Sequence, residues 1–123
     1  MGKVISIIIP TYNMEEYLDK CLSSLIIDGM ERVEVVVVND GSKDRTLRIA
    51  RQYADRYADT VRVVDKPNGN YGSTINEALK VVQGEYVKIF LIIYPGILQA
   101  FSLPPFFRLL FGGQHCISRY HVL

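Results

Sequence analysis

No aspartate or glutamate occurs after Glu85, although 13 acidic residues stand at or before it. Acids make up about an eighth of ordinary chains, so an acid-free stretch of that length arises roughly once in a hundred times. Three of the five prolines and both histidines fall in the same stretch, which marks the end of the chain as a different kind of sequence. Cysteine is scarce: Cys21 and Cys116 lie far apart, with neither metal-ligand spacing nor a histidine cluster beside them. That pattern fits reduced thiols in a cytoplasmic protein and offers no metal or redox site. An excess of basic charge is also absent. The net charge is +1, with Lys and Arg scattered among acids, which leaves no electrostatic footprint for nucleic acid. The apolar run Val4 to Ile9 is too short for a signal-peptide core and is ended by Pro10. Gly2 and Ser6 satisfy a loose myristoylation pattern, but the same run reads better as a buried strand.

What is present alternates. Lys3 to Pro10 (KVISIIIP) and Val33 to Asn39 (VEVVVVN) are nearly continuous Val/Ile runs, the signature of parallel strands covered on both faces. Between them Tyr17, Leu18, Cys21, Leu22, Leu25 and Ile26 recur at helical spacing, and Asn13 with Glu16 predicts a capping-box-like start. A second helix follows, capped by Ser42 or Asp44 and striped by Leu47, Ile49, Ala50, Tyr53, Ala54 and Tyr57. A strand over Thr60 to Asp65, a turn at Lys66 to Asn70, a helix over Gly72 to Val82 ended by Gly84, and a strand from about Glu85 complete β-α-β-α-β-α-β. The expected class is α/β, a three-layer, doubly wound, Rossmann-like parallel sheet with right-handed crossovers.

In such sheets ligands bind beyond the carboxyl ends of the strands. The loops at those ends read Pro10-Thr11-Tyr12-Asn13 and Asn39-Asp40-Gly41-Ser42-Lys43-Asp44. No G-x-G-x-x-G follows the first strand, and Gly69-Asn70-Tyr71-Gly72-Ser73-Thr74 lacks the lysine of a Walker loop. The acidic pair of a receiver domain is missing from the first strand, and no Ser-His-Asp or Cys-His set can be assembled.

Four motifs in order, VISIIIPTYN, VVVVNDGSKDRT, KPNGNYGSTINEAL and GEYVKI, resemble family 2 glycosyltransferases of the GT-A fold over about residues 3 to 89. The resemblance implies a nucleotide-sugar donor, commonly a UDP-sugar, lying across the strand ends, with Pro10, Thr11 and Tyr12 lining the base pocket. It implies that the Asp40 carboxylate accepts a hydrogen bond from the uracil ring N–H, a charge-assisted contact worth roughly 1.5 to 3 kcal/mol. Tyr12 would add a stacking face worth about 1 to 3 kcal/mol. Glu16 and Asn76 are carried over as further nucleotide-binding positions. Each residue also has a plain structural reading. Asp40 could close an Asx turn, Tyr12 could pack over the sheet end, Asp44 and Glu16 could serve as helix caps, and Asn76 could be an exposed helix residue.

Transfer of a sugar needs a cation, Mg or Mn in the intact family domain, to hold the diphosphate, and a carboxylate to take the acceptor's proton. The family's acidic metal motif should follow the fourth strand, where this chain reads Ile89-Phe90-Leu91-Ile92-Ile93-Tyr94-Pro95. No hard-cation site can be built there. Residues 1–90 are therefore expected to be a nucleotide-sugar-binding portion, and residues 91–123 an apolar tail unlike the family. Three readings of the tail stand open. It is a departure of reading frame or truncation near Phe90. Alternatively it is a membrane segment over Ile89 to Phe107, against which Pro95, Gly96, Pro104 and Pro105 count. The third reading is an ordinary core element. By itself the chain is expected to bind nucleotide without efficient catalysis and to oligomerise or aggregate through the tail. A non-enzymatic nucleotide-binding or protein-interaction module is the alternative. The sequence names neither the sugar nor the acceptor.

Overall fold

A computed structural model describes residues 2–90, residue 92 and the backbone of 116–118. Three helices alternate with four parallel strands. They run β1 (Ile5–Thr11), α1 (Leu18–Leu25), β2 (Val33–Asp40), α2 (Thr46–Arg56), β3 (Val61–Lys66), α3 (Tyr71–Leu79) and β4 (Tyr86–Ile89), and a short β5 (Cys116–Ser118) follows. The sheet order is β3-β2-β1-β4-β5. Pairing from β1 through β4 is parallel, whereas β5 runs antiparallel to β4. That antiparallel edge is an addition to the expected parallel sheet.

The apolar runs of β1 and β2 are buried on both faces because helices cover both. Ile5, Ile7 and Ile9 of β1 with Val35 and Val37 of β2 pack against Leu18, Cys21, Leu22 and Leu25 of α1 and Ala50 of α2. Ile8, Val36, Val38 and Val87 pack with Ala78 and Val82 on the other side. Alternation along the strands thus gives each face its own core, the three-layer arrangement of a doubly wound sheet.

Two helix boundaries differ from expectation. α1 begins at Leu18 with no side-chain cap, so Asn13 and Glu16 do not form a capping box. Asn13 instead adopts a left-handed backbone (φ 52), a conformation asparagine tolerates better than most residues. Its N–H donates to Ser42 Oγ and its Oδ1 accepts from the Lys43 N–H. α3 ends at Leu79, three residues early. There the chain tightens into three-residue hydrogen bonds from Lys80 to Glu77 and from Val81 to Ala78, and Arg62 donates to the freed Val81 carbonyl at 3.0 Å.

Among the described residues no helix is long and apolar enough to cross a membrane. Apart from Ile89, Phe90 and Ile92, the proposed span over Ile89 to Phe107 lies outside those residues.

Candidate functional site

The strand order reverses between β1 and β4, and this is where an open α/β sheet forms its ligand crevice. Pro10 helps to open it. Carbonyls of Val4 and Ile8 face β4, receiving Tyr86 and Phe90 N–H groups, so by alternation Pro10 also faces that side. Pairing with β4 stops at Ile8, so proline's missing N–H costs no ladder bond. β1 and β2 run on together to the pairs Pro10–Val38 and Thr11–Asn39.

Asp40 closes β2 and is buried, with 9% of its surface exposed. Its cross-strand partner is Lys66, the last residue of β3. The Lys66 ammonium donates to Asp40 Oδ1 at 2.5 Å and the Gly69 N–H donates to the same oxygen at 2.9 Å. Asn68 Nδ2 donates to the Asp40 carbonyl. This close approach of the 67–69 turn depends on Gly41, whose φ is +69 and whose added Cβ would stand 2.6 Å from the Asn68 nitrogen.

The turn-closing role anticipated for Asp40 belongs to its neighbour. Asn39 Oδ1 accepts the Ser42 N–H at 3.3 Å, and Asn39 Nδ2 donates to Asp65 Oδ1 at 2.9 Å. Asp40 makes no local bond of that kind.

The β1 and β2 loops are knitted together by Asp44. Its Oδ1 accepts the Thr46 N–H and hydroxyl, and its Oδ2 accepts the Glu15 N–H. Thr46 Oγ1 in turn accepts the Met14 N–H at 2.7 Å, and Glu15 accepts from the Arg45 N–H and Nε. Asp44 thus accepts the N–H of the first residue of α2, although Arg45, with no side-chain cap of its own, and not Asp44 holds the N-cap position. Partial burial pushes its carboxyl pKa up, but the hydrogen bonds from Thr46 and Glu15 outweigh this and hold it below the ordinary 3.8.

Pro10, Thr11 and Asp40 are brought together at the carboxyl ends of adjacent strands. Thr11 is buried and its hydroxyl is spent on the Val38 carbonyl. Tyr12 is 45% exposed. Glu16 lies exposed ahead of α1, and Asn76 lies exposed in the second turn of α3. Neither side chain makes a hydrogen bond among the described residues. The sequence reading passed over Lys66, Asn68 and Gly69 as turn residues. Aligning the ends of β2 and β3 would have placed a lysine opposite Asp40.

A divalent metal does not fit the described residues. Asp40 is committed to Lys66, Asp65 receives Asn39 and stands 3.8 Å from Arg51, and Asp44 is saturated by backbone and hydroxyl donors. Among the described residues no group of three potential ligands converges. The end of β4, where family acids are expected, is apolar, with Phe90 buried.

Residues 6–91 match the family model for Glycosyl transferase family 2. The chain belongs to this family. Among curated relatives of this glycosyltransferase family, the uncharacterized glycosyltransferase EpsJ of Bacillus subtilis is 38% identical over 87 residues, covering 71% of this chain and 25% of EpsJ. TarS of S. aureus in complex with UDP-GlcNAc superposes with a TM-score of 0.62 at 39% identity, covering 72% of this chain and 26% of that one. The mannosyltransferase PcManGT of Pyrobaculum calidifontis, in complex with GDP-Man and Mn2+, gives 0.63 at 26% identity, with 71% and 26% covered. The fold is therefore the amino-terminal part of a GT-A domain, and the chain spans about a quarter of the length of these relatives.

Proposed function

We propose that residues 1–90 form the donor-nucleotide-binding part of a glycosyltransferase that moves a sugar from a UDP-linked donor to an acceptor hydroxyl. The observation that carries this reading is the Asp40 carboxylate, buried at the tip of β2 beside the end of β1, in a crevice that no local turn requires it to serve. A single carboxylate oxygen facing the mouth is the acceptor that a ring N–H needs. Tyr12 supplies an exposed face for stacking, and Pro10 and Thr11 form the floor. Glu16 and Asn76 line the approach to the nucleotide. Uracil is favoured over guanine because likeness to the UDP-GlcNAc complex of TarS is at 39% identity, against 26% for the GDP-Man complex of PcManGT.

Catalysis needs more than this site. PcManGT is complexed with Mn2+, which supports a divalent metal for the intact enzyme. Residues 91–123 contain no carboxylate, so they supply neither a hard-cation site nor a catalytic base. These 123 residues alone bind nucleotide without efficient transfer.

Calorimetric titration with UDP tests the base contact. Heat is expected for the unsubstituted chain and is abolished in Asp40→Ala; unchanged binding in that variant removes the assignment.

A further inference from the structure

Building on the reading that Asp40 meets the nucleotide base, we infer that Lys66 is a positioning residue that makes the Asp40 carboxylate a one-sided acceptor. Its ammonium and the Gly69 amide together hold Oδ1, and Oδ2 alone faces the base. The two side chains start as a cross-strand pair at the ends of β2 and β3, so they share one face of the sheet. Both are largely withdrawn from water, with side chains 10% and 13% exposed for Lys66 and Asp40. The ammonium is itself pinned, donating to the Pro67 carbonyl at 2.7 Å as well as to Asp40. A Cβ on Gly69 would lie 3.1 Å from Nζ, so a side chain at that position would crowd the ammonium where it now sits.

Oδ1 therefore receives two donors, one of them charged. Among the described residues no hydrogen bond reaches Oδ2, and none of their buried side-chain oxygens lacks a partner, which places Oδ2 on the accessible side. A carboxylate on a free rotor must be ordered when it binds, whereas one clamped by a single oxygen is ordered beforehand. The clamp also suits the chemistry of the ligand edge. The N3–H of a uracil is flanked by two ring carbonyls, so a carboxylate presenting both oxygens would set one of them against a carbonyl oxygen. Turning Oδ1 toward Lys66 removes that repulsion and leaves one acceptor for one donor.

Four proteins test this: the unsubstituted chain, Lys66→Met, Asp40→Asn and the double variant. Each is titrated with UDP and with N3-methyl-UDP, and thermal melts report their folding. Lys66→Met is expected to weaken UDP binding roughly tenfold where Asp40 is present. In the Asp40→Asn background, where the amide keeps its oxygen toward Lys66 and turns its NH2 to the mouth, removing Lys66 is expected to cost nothing further. N3-methyl-UDP is expected to bind the unsubstituted chain as weakly as UDP binds Asp40→Asn. Equal losses in both backgrounds, or no loss from Lys66→Met, overturn the positioning role. Full UDP affinity in Asp40→Asn overturns the base contact and the positioning role together, so the two failures are told apart. Should Lys66→Met fail to fold, Lys66→Gln takes its place in the same cycle, with loss confined to the Asp40 background expected and equal loss in both backgrounds overturning the role.

Discussion

Replacing Asp44 by alanine is expected to loosen the mouth of the site and to destabilise the fold by a predictable amount. The side chain accepts three hydrogen bonds, from the Thr46 N–H, the Thr46 hydroxyl and the Glu15 N–H. Loss of a side-chain acceptor for an N–H at the start of a helix costs about 1 kcal/mol. Thr46 is fully buried, and stripping its hydroxyl of an acceptor adds about another 1 kcal/mol at the low end of such penalties. The sum, about 2 kcal/mol, corresponds to a fall in Tm of roughly 8 °C for a chain of this size. Urea denaturation and thermal melts of the variant beside the parent measure it. The pH dependence supplies a second check. Asp44 has a folded-state pKa below its ordinary value, so its contribution is full above the ordinary 3.8 and is lost as pH falls through the lower folded value. The gap between parent and variant is therefore expected to be constant from pH 5 to 7 and to shrink below about pH 4. A gap under about 0.5 kcal/mol at neutral pH, or one that does not narrow in acid, would refute the reasoning.

Other perturbations probe separate parts of the scaffold. Glu34 is buried at the opposite end of the sheet, where its Oε1 accepts from Ser6 Oγ at 2.6 Å and from the Gln83 N–H, while Ser6 Oγ accepts the Gly84 N–H. Glu34→Ala leaves the Ser6 hydroxyl and the Gln83 N–H without this acceptor and is expected to cost about 3 kcal/mol in urea denaturation, with Glu34→Gln costing less. Gly41→Ala combines a positive φ with a backbone clash against Asn68, and is expected to destabilise by about 2 kcal/mol and to weaken UDP binding in calorimetry. Cys21 is buried in the core beneath α1, and burial pushes its thiol pKa up to about 12, so iodoacetamide is expected to label it only after unfolding in urea.

The parts legible in the sequence are those set by short-range periodicity. Val35 to Val38 are fully buried, so an unbroken apolar run announces a central strand without reference to anything else in the chain. The same holds for the stripe of α1, where Leu18, Cys21, Leu22 and Leu25 all face the core. Local capping rules failed at Asn13 because its partners, Ser42 and Lys43, lie 29 and 30 residues away. A side chain that can bond either its own helix or a distant loop goes where the tertiary structure presents better donors. α3 stopped early for a related reason: the Val81 carbonyl has an arginine from β3 to satisfy it, so the helix need not continue. β5 carried no signal at all, since three residues are too few for alternation to register.

Asp40 shows why a site can be half legible. Sequence proximity makes Asp40 and Asn39 equal candidates for the turn before Ser42, and nothing local separates them. The separation comes from strand alternation, which sends their side chains to opposite faces. Asn39 is paired with Asp65 and bonds both it and the Ser42 N–H, so it is the residue able to serve the turn. Asp40, one position on, falls opposite Lys66 and is drawn to the other face. A carboxylate freed from its own turn but fixed through one oxygen is the arrangement on which the proposed contact with a ring N–H rests. It arises from the register between β2 and β3, so shifting that register by one residue would exchange the places of Asn39 and Asp40 relative to Lys66.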